Sequence, residues 1–143
     1  MTVQELINPA AVTVSSEESA LFAARLMSRY NIGALPVVSP SGKLQGILTD
    51  RDITLRCVAA GSDPAETPVC HIMSRRLVTV SGDCTPAEAS RTMAERQIRR
   101  LPVIAEDRRL IGMLSLGDLA GNHRFETEAA SALCEISKNL RHF

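Results

Sequence analysis

Two heptapeptides place a hydroxyl and a carboxylate three residues apart behind a glycine. They are Gly46-Ile47-Leu48-Thr49-Asp50-Arg51-Asp52 and Gly112-Met113-Leu114-Ser115-Leu116-Gly117-Asp118. A three-residue step sets both groups on one side of a helical turn. A carboxylate there can accept hydrogen bonds from both hydroxyls of a ribose. The hydroxyl and the open N–H groups of a helix start can receive phosphate. The glycine lets backbone come close. The plainer alternative is capping, since Asp or Thr at such a place commonly closes a helix N-terminus. Asp50 is the better cap candidate in the first stretch, and its counterpart is Leu116.

The two glycines lie 66 residues apart, and the same offset links Pro36 to Pro102, Ile32 to Ile98, Met27 to Met93 and Thr13-Val14 to Thr79-Val80. No insertion intervenes, so the chain is one unit built twice. Residues 1–11 form a lead-in with Val3, Leu6 and Ile7 at helical spacing, ended by Asn8-Pro9. Val69 to Met73 is the matching lead-in. Val12-Thr13-Val14 predicts a short strand. Helix-start chemistry at Ser15 to Glu18 predicts a helix to about Tyr30, with Leu21, Ala24, Met27 and Ser28 on one face and Gly33 closing it. The second copy starts with Thr85, Pro86 and Glu88, a capping box, and turns Ala89, Met93 and Ala94 inward.

Ala34 to Val38 and Leu44 to Leu48 read as a hairpin of buried strands. Pro36 must sit at an edge or where pairing is broken. A helix follows to about Ala60, and the polar stretch 61–68 is the linker. Each half reads strand–helix–strand–strand–helix, giving an α/β (α+β) chain with segments 1–60, 61–68, 69–121 and 122–143. A half of this size is too small to bury a core alone, so the halves are expected to pack sheet to sheet about a pseudo-twofold axis. In the last segment Ala129, Leu133, Ile136 and Leu140 share a helical face, with Glu135, Lys138, Asn139 and Arg141 away from it. That helix either packs on its own core or docks a partner.

Composition narrows the function. Lys plus Arg and Asp plus Glu each number 16, so no basic excess marks a nucleic-acid or membrane surface. With no Trp, one Tyr and three Phe, platforms for stacking bases are scarce. The start Met-Thr-Val-Gln-Glu lacks signal-peptide character and no run reaches membrane-spanning length, so the expectation is cytoplasmic. Cys57, Cys70, Cys84 and Cys134 form no C-x-x-C pair and read as free thiols. Cys70-His71 would need distant ligands to hold a metal, and no metal site is expected. His71, His123 and His142 stand beside no nucleophile motif, and phosphate-loop and hydrolase patterns are missing, so catalysis is not expected.

The complete pattern, Val-Thr-Val, helix, Leu-Pro-Val, then Gly-apolar-Leu-Thr/Ser-x-x-Asp, resembles the cystathionine β-synthase (CBS) domain. Its repetition over residues 1 to about 120 is similar to a tandem CBS, or Bateman, module, including stand-alone bacterial pairs of the hypoxic response type. The resemblance implies a non-catalytic regulatory module with clefts for an adenosine-containing ligand: AMP, ADP, ATP or S-adenosylmethionine. No obligatory cofactor is implied. It implies a homodimer and a separate regulated protein as partner. By resemblance Asp52 and Asp118 take ribose, and Thr49 and Ser115 contact phosphate or ribose. Val12, Val14, Ala34 and Pro36 would form an adenine slot, with Leu77, Val78, Val80 and Pro102 in the other half. Arg99, Arg100 and Arg51 would face phosphate, their counterparts Gly33, Ala34 and Gly117 making the two sites unequal. Apolar residues at these positions are equally core residues. The alternative function is a ligand-free scaffold acting through its C-terminal helix, whose removal would then leave the core folded.

Overall fold

The computed structural model describes residues 1–7 and 12–138. Asn8-Pro9, Asn139, Leu140, Arg141 and His142 lie outside the described residues. The elements are α1 (Val3–Leu6), β1 (Val14–Ser15), α2 (Ala20–Tyr30), β2 (Ala34–Val38), β3 (Leu44–Thr49), α3 (Asp50–Ile53), β4 (Val80–Ser81), α4 (Pro86–Arg96), β5 (Arg100–Ile104), β6 (Leu110–Ser115), α5 (Leu116–Ala120) and α6 (Glu126–Ser137). A π-helical turn, Thr54–Val58, continues α3. The sheets are β1-β2-β3 and β4-β5-β6. In each, the first pair is parallel and the second antiparallel.

Two compact units result. One is Val12–Leu77; the other joins the N-terminal lead-in to the chain from Val78 onward. Each lead-in is therefore exchanged. The Val3 and Gln4 N–H groups donate to the carbonyls of Cys84 and Gly82 at 2.9 and 3.0 Å, while those of Val69 and Cys70 donate to Glu18 and Ser16 at 2.8 and 3.0 Å. These are the same bonds at repeat-related positions. Val3 is buried among Met93, Leu101, Leu114 and Leu119, and Val69 among Leu35, Val37, Leu48 and Cys57. The repeating unit and the packing unit thus differ by one segment.

Pro36 lies in a central strand, where broken pairing tolerates it. It stands opposite Ile47, whose N–H and C=O both bond Ser74 instead. Pairing with β1 begins only at Val37, so the missing Pro36 N–H faces no partner strand. Pro102 likewise stands opposite Met113, and β4 reaches only Val103 and Ile104.

The start of α4 follows the capping box: Thr85 Oγ1 accepts the Glu88 N–H and Glu88 accepts the Thr85 N–H, both at 3.2 Å. For α2 the cap is Ser19, not Ser15 to Glu18. Its Oγ accepts the Phe22 N–H at 3.0 Å. The next free N–H groups, of Ala20 and Leu21, are taken by the carbonyls of Thr67 and Pro64. The linker therefore fixes where α2 begins. Its buried face is Ala20, Ala23 and Met27, one step round from the expected one, and Ser28 is exposed. Nor does Gly33 close the helix. Asn31 takes the left-handed turn at φ 53°, as Gln97 does at φ 55° after α4.

The β2–β3 turn has Gly42 at φ 84°; its counterpart in the β5–β6 turn is Arg108, at φ 69°. A Cβ is strained there. Arg108→Gly is expected to stabilise the protein by about 1 kcal/mol, a melting temperature roughly 2–4 °C higher. An unchanged or lower melting temperature would show that the arginine is held by something that outweighs the strain.

Candidate functional site

Both hydroxyl–x–x–Asp stretches sit where a strand turns into a helix, and both form reciprocal caps. Thr49 Oγ1 accepts the Asp52 N–H at 3.1 Å, and Asp52 Oδ2 accepts the Thr49 N–H at 2.9 Å. Ser115 Oγ accepts the Asp118 N–H at 3.0 Å, and Asp118 Oδ2 accepts the Ser115 N–H at 2.8 Å. Capping is thus a job these residues perform. The cap occupies one oxygen of each carboxylate and leaves Oδ1 to other partners.

The first corner is closed to phosphate at its backbone. The Asp50 N–H donates to Gly33 C=O at 2.9 Å. The Arg51 N–H donates to Asp50 Oδ1 at 2.9 Å. The third N–H, of Asp52, is the one Thr49 holds. The expected reception of phosphate by free N–H groups therefore fails here. Asp50 is not the N-cap; it closes the helix start from within. In the second half Leu116 replaces it. The Leu116 N–H donates to Arg99 C=O at 2.8 Å, but no carboxylate stands where Asp50 serves Arg51.

Asp52 is the better held of the two aspartates. Its side chain is 14% exposed, and Arg56 Nε stands 4.0 Å from Oδ1. Arg56 also donates to the carbonyls of Ile72 and Met73 at 3.2 and 3.4 Å. The repeat does not mark it, since its counterpart is Asn122, but an Asp–Arg pair at i, i+4 is a readable helix signal. Asp118 is exposed, and the residue matching Arg56 is Asn122, which instead caps Arg124.

Ala34 pairs with Thr49 and Arg100 with Ser115 across the hairpins, so these neighbours do meet the corners. The other candidates for an adenine slot divide. Val12, Ala34, Leu77, Val78 and Val80 are half-buried. Val14, Pro36 and Pro102 are buried, and Val14 belongs to its unit's apolar core. Arg51, Arg99 and Arg100 are exposed.

Gly46 has a different reason from close approach of a ligand. A Cβ there would lie 2.7 Å from Met73 Sδ and 2.9 Å from the Ser74 carbonyl oxygen. The methionine can shift, but that carbonyl is tied to Ile47. Gly46→Ala is expected to cost about 1–3 kcal/mol. A denaturant midpoint equal to that of the parent protein would show that the 73–74 segment moves freely.

In the unit from Val78 onward, a cavity of about 470 Å³ opens beside the second corner. Arg99, Arg100, Ser115, Leu116 and Gly117 line one side, and α6 supplies Glu126, Ala129, Ala130 and Leu133. Asp118, Val78, Val80 and Pro102 are not among its walls. Nothing in the sequence pattern of α6 places it at this corner. Its buried face is Ala129, Ala132 and Ile136, while Leu133, expected on that face, is 44% exposed and lines the cavity. No group of three or more His, Cys, Asp or Glu able to hold a metal occurs among the described residues. No helix among them is long and apolar enough to cross a membrane.

Comparison with known proteins bears on the repeat and the fold. The family model for the CBS domain matches residues 3–58 and again 69–122. CBS domain-containing protein YhcV of Bacillus subtilis is 43% identical over 141 residues, 99% of each chain. Hypoxic response protein 1 of Mycobacterium tuberculosis is 34% identical over 119 residues, 83% of this chain and 82% of the relative. Among solved structures, the CBS domain pair of protein MJ0100, in complex with 5′-methylthioadenosine and S-adenosylmethionine, superposes with a TM-score of 0.74 at 27% identity, covering 85% of this chain and 94% of that one. The repeat, the two sheets of like topology and these matches together make the chain a member of the CBS domain family, carrying two CBS domains in tandem.

Proposed function

We infer that this protein is a non-catalytic regulatory module that senses an adenosine-containing ligand: AMP, ADP, ATP or S-adenosylmethionine. The β3–α3 and β6–α5 corners would take the ribose through Asp52 and Asp118. The observation that carries the reading is the second carboxylate oxygen. Each aspartate is fixed by its cap through Oδ2, so Oδ1 is held in a set direction without being used by the cap. A pre-oriented acceptor costs little entropy on binding. The adenosyl ligands of the MJ0100 pair support the ligand class. Thr49 and Ser115 keep a hydroxyl proton to donate, and Arg51 is exposed beside the first corner, so phosphate contact falls to side chains there.

The module would work as a cytoplasmic homodimer acting on a separate protein, with no nucleic acid or membrane among its partners. A ligand regulates only by binding one arrangement better than another. The test is a thermal-shift screen across adenosine nucleotides, guanosine nucleotides and S-adenosylmethionine. An adenosine compound should raise the melting temperature and its guanosine analogue should not. Absence of any adenosine-specific rise at millimolar concentration would overturn the reading.

A further inference from the structure

Five positions at which the two halves differ come together at one cavity of the second half. Gly33, Ala34, Asp50, Arg51 and Thr54 correspond to Arg99, Arg100, Leu116, Gly117 and Ala120, and all five of the latter line the 470 Å³ cavity. The opposite wall is α6, which has no counterpart in the first half. Each departure has a consequence for what the cavity holds. Two guanidinium groups replace residues without charge. An apolar side chain replaces the Asp50 carboxylate. Loss of the Arg51 side chain at Gly117 leaves open space, and a Cβ there would meet only Ser115 Oγ, at 3.5 Å. On α6, Leu133 stands exposed in the wall with Ala129 and Ala130, where a solvated helix face would carry polar residues.

We propose that this cavity binds a small amphipathic anion, with a carboxylate or phosphate monoester group on Arg99 and Arg100 and an apolar body along Leu116, Ala129, Ala130 and Leu133. Guanidinium suits an oxyanion through its planar fork of donors. The volume is that of an ordinary small-ligand pocket. Among the described residues of the lining Glu126 is the one acid, against two arginines, so a cationic head would be repelled. A neutral hydrocarbon would fill the apolar wall and leave the guanidinium pair without a partner. The cavity shares Arg99, Arg100 and Ser115 with the adenosine reading, and the proposal goes beyond that reading in its apolar wall on α6 and in the absence of Asp118 from the lining.

The probe is octanoate, compared with octylammonium and with acetate, and read by calorimetry and by thermal shift on the full chain. Octanoate should bind at millimolar or lower concentration while the other two should not. Arg99→Ala with Arg100→Ala should weaken it by about tenfold or more. Ala130→Phe, which fills the space from the exposed side of α6, should abolish octanoate binding, leave the melting temperature of the free protein nearly unchanged and leave any adenosine response intact. Equal binding of octanoate and octylammonium would overturn the proposal, as would octanoate binding that survives Ala130→Phe. So would an adenosine response lost in Ala130→Phe, since the cavity would then belong to that ligand. Failure of every adenosine compound with octanoate still bound would sink the adenosine reading alone.

Discussion

A chain ending at Phe125 is expected to lose the fold of the unit from Val78 onward. The reason lies in what α6 covers. Ala129, Ala132 and Ile136 are buried in one cluster with Met93, Leu101, Leu114, Leu116 and Leu119. Two side chains bond the α6 backbone as well: Ser90 Oγ donates to the Glu128 carbonyl at 3.4 Å and Gln97 Nε2 to that of Glu135 at 3.2 Å. Truncating Ile136 to Ala alone should cost about 2–5 kcal/mol. Removing the helix loses that and leaves α4 and α5 with apolar faces in water. The sum is comparable to the whole stability of a domain, about 5–15 kcal/mol. Circular dichroism and amide exchange should therefore show protection lost across β5 and β6. Ile136→Ala gives the graded version, a lower melting temperature with the fold retained. A chain ending at Phe125 that melts within about 2 °C of the parent would mean that α6 is an appendage. The scaffold reading, in which this helix is dispensable to the core, would then regain its force.

The position of α6 also shows what a sequence can and cannot carry. Its helical period was legible, but its face was not. Leu133 outranks Ala132 in hydrophobicity, yet the alanines pack, because close approach to α4 favours small side chains and Leu133 has a cavity to line. The start of α4 was legible because Thr85, Pro86 and Glu88 carry all their chemistry locally. The start of α2 was not, since the carbonyls of Pro64 and Thr67, over forty residues away, select Ser19. Self-similarity located both halves and both corners. It could not show that the lead-ins are exchanged, because likeness between segments says nothing about which core buries them. At the corners the sequence leaves two roles open, a cap and a ligand contact. A hydroxyl three residues before an acid is the signature of a capping box as well as of a ligand site, and only coordinates show the cap in place.

Because the aspartates both cap and are proposed to bind, the decisive variant must separate the two roles. Asp52→Asn with Asp118→Asn does so. An asparagine oxygen can still accept the Thr49 or Ser115 N–H, so the cap survives while the charge on the second oxygen is lost. Asp→Ala would remove both, at about 1 kcal/mol of stability per helix, and confuse the result. In the parent protein, ligand at a hundred times its dissociation constant stabilises by about 2.7 kcal/mol. For a chain of this size that is a rise of roughly 5–10 °C. The asparagine pair should melt near the parent without ligand and show almost none of that rise with it. The single variants then apportion the response between a half-buried aspartate backed by Arg56 and an exposed one without such a partner. If the double asparagine variant responds to the same adenosine compound as fully as the parent, the two aspartates are caps and nothing more, and the ribose must be held elsewhere.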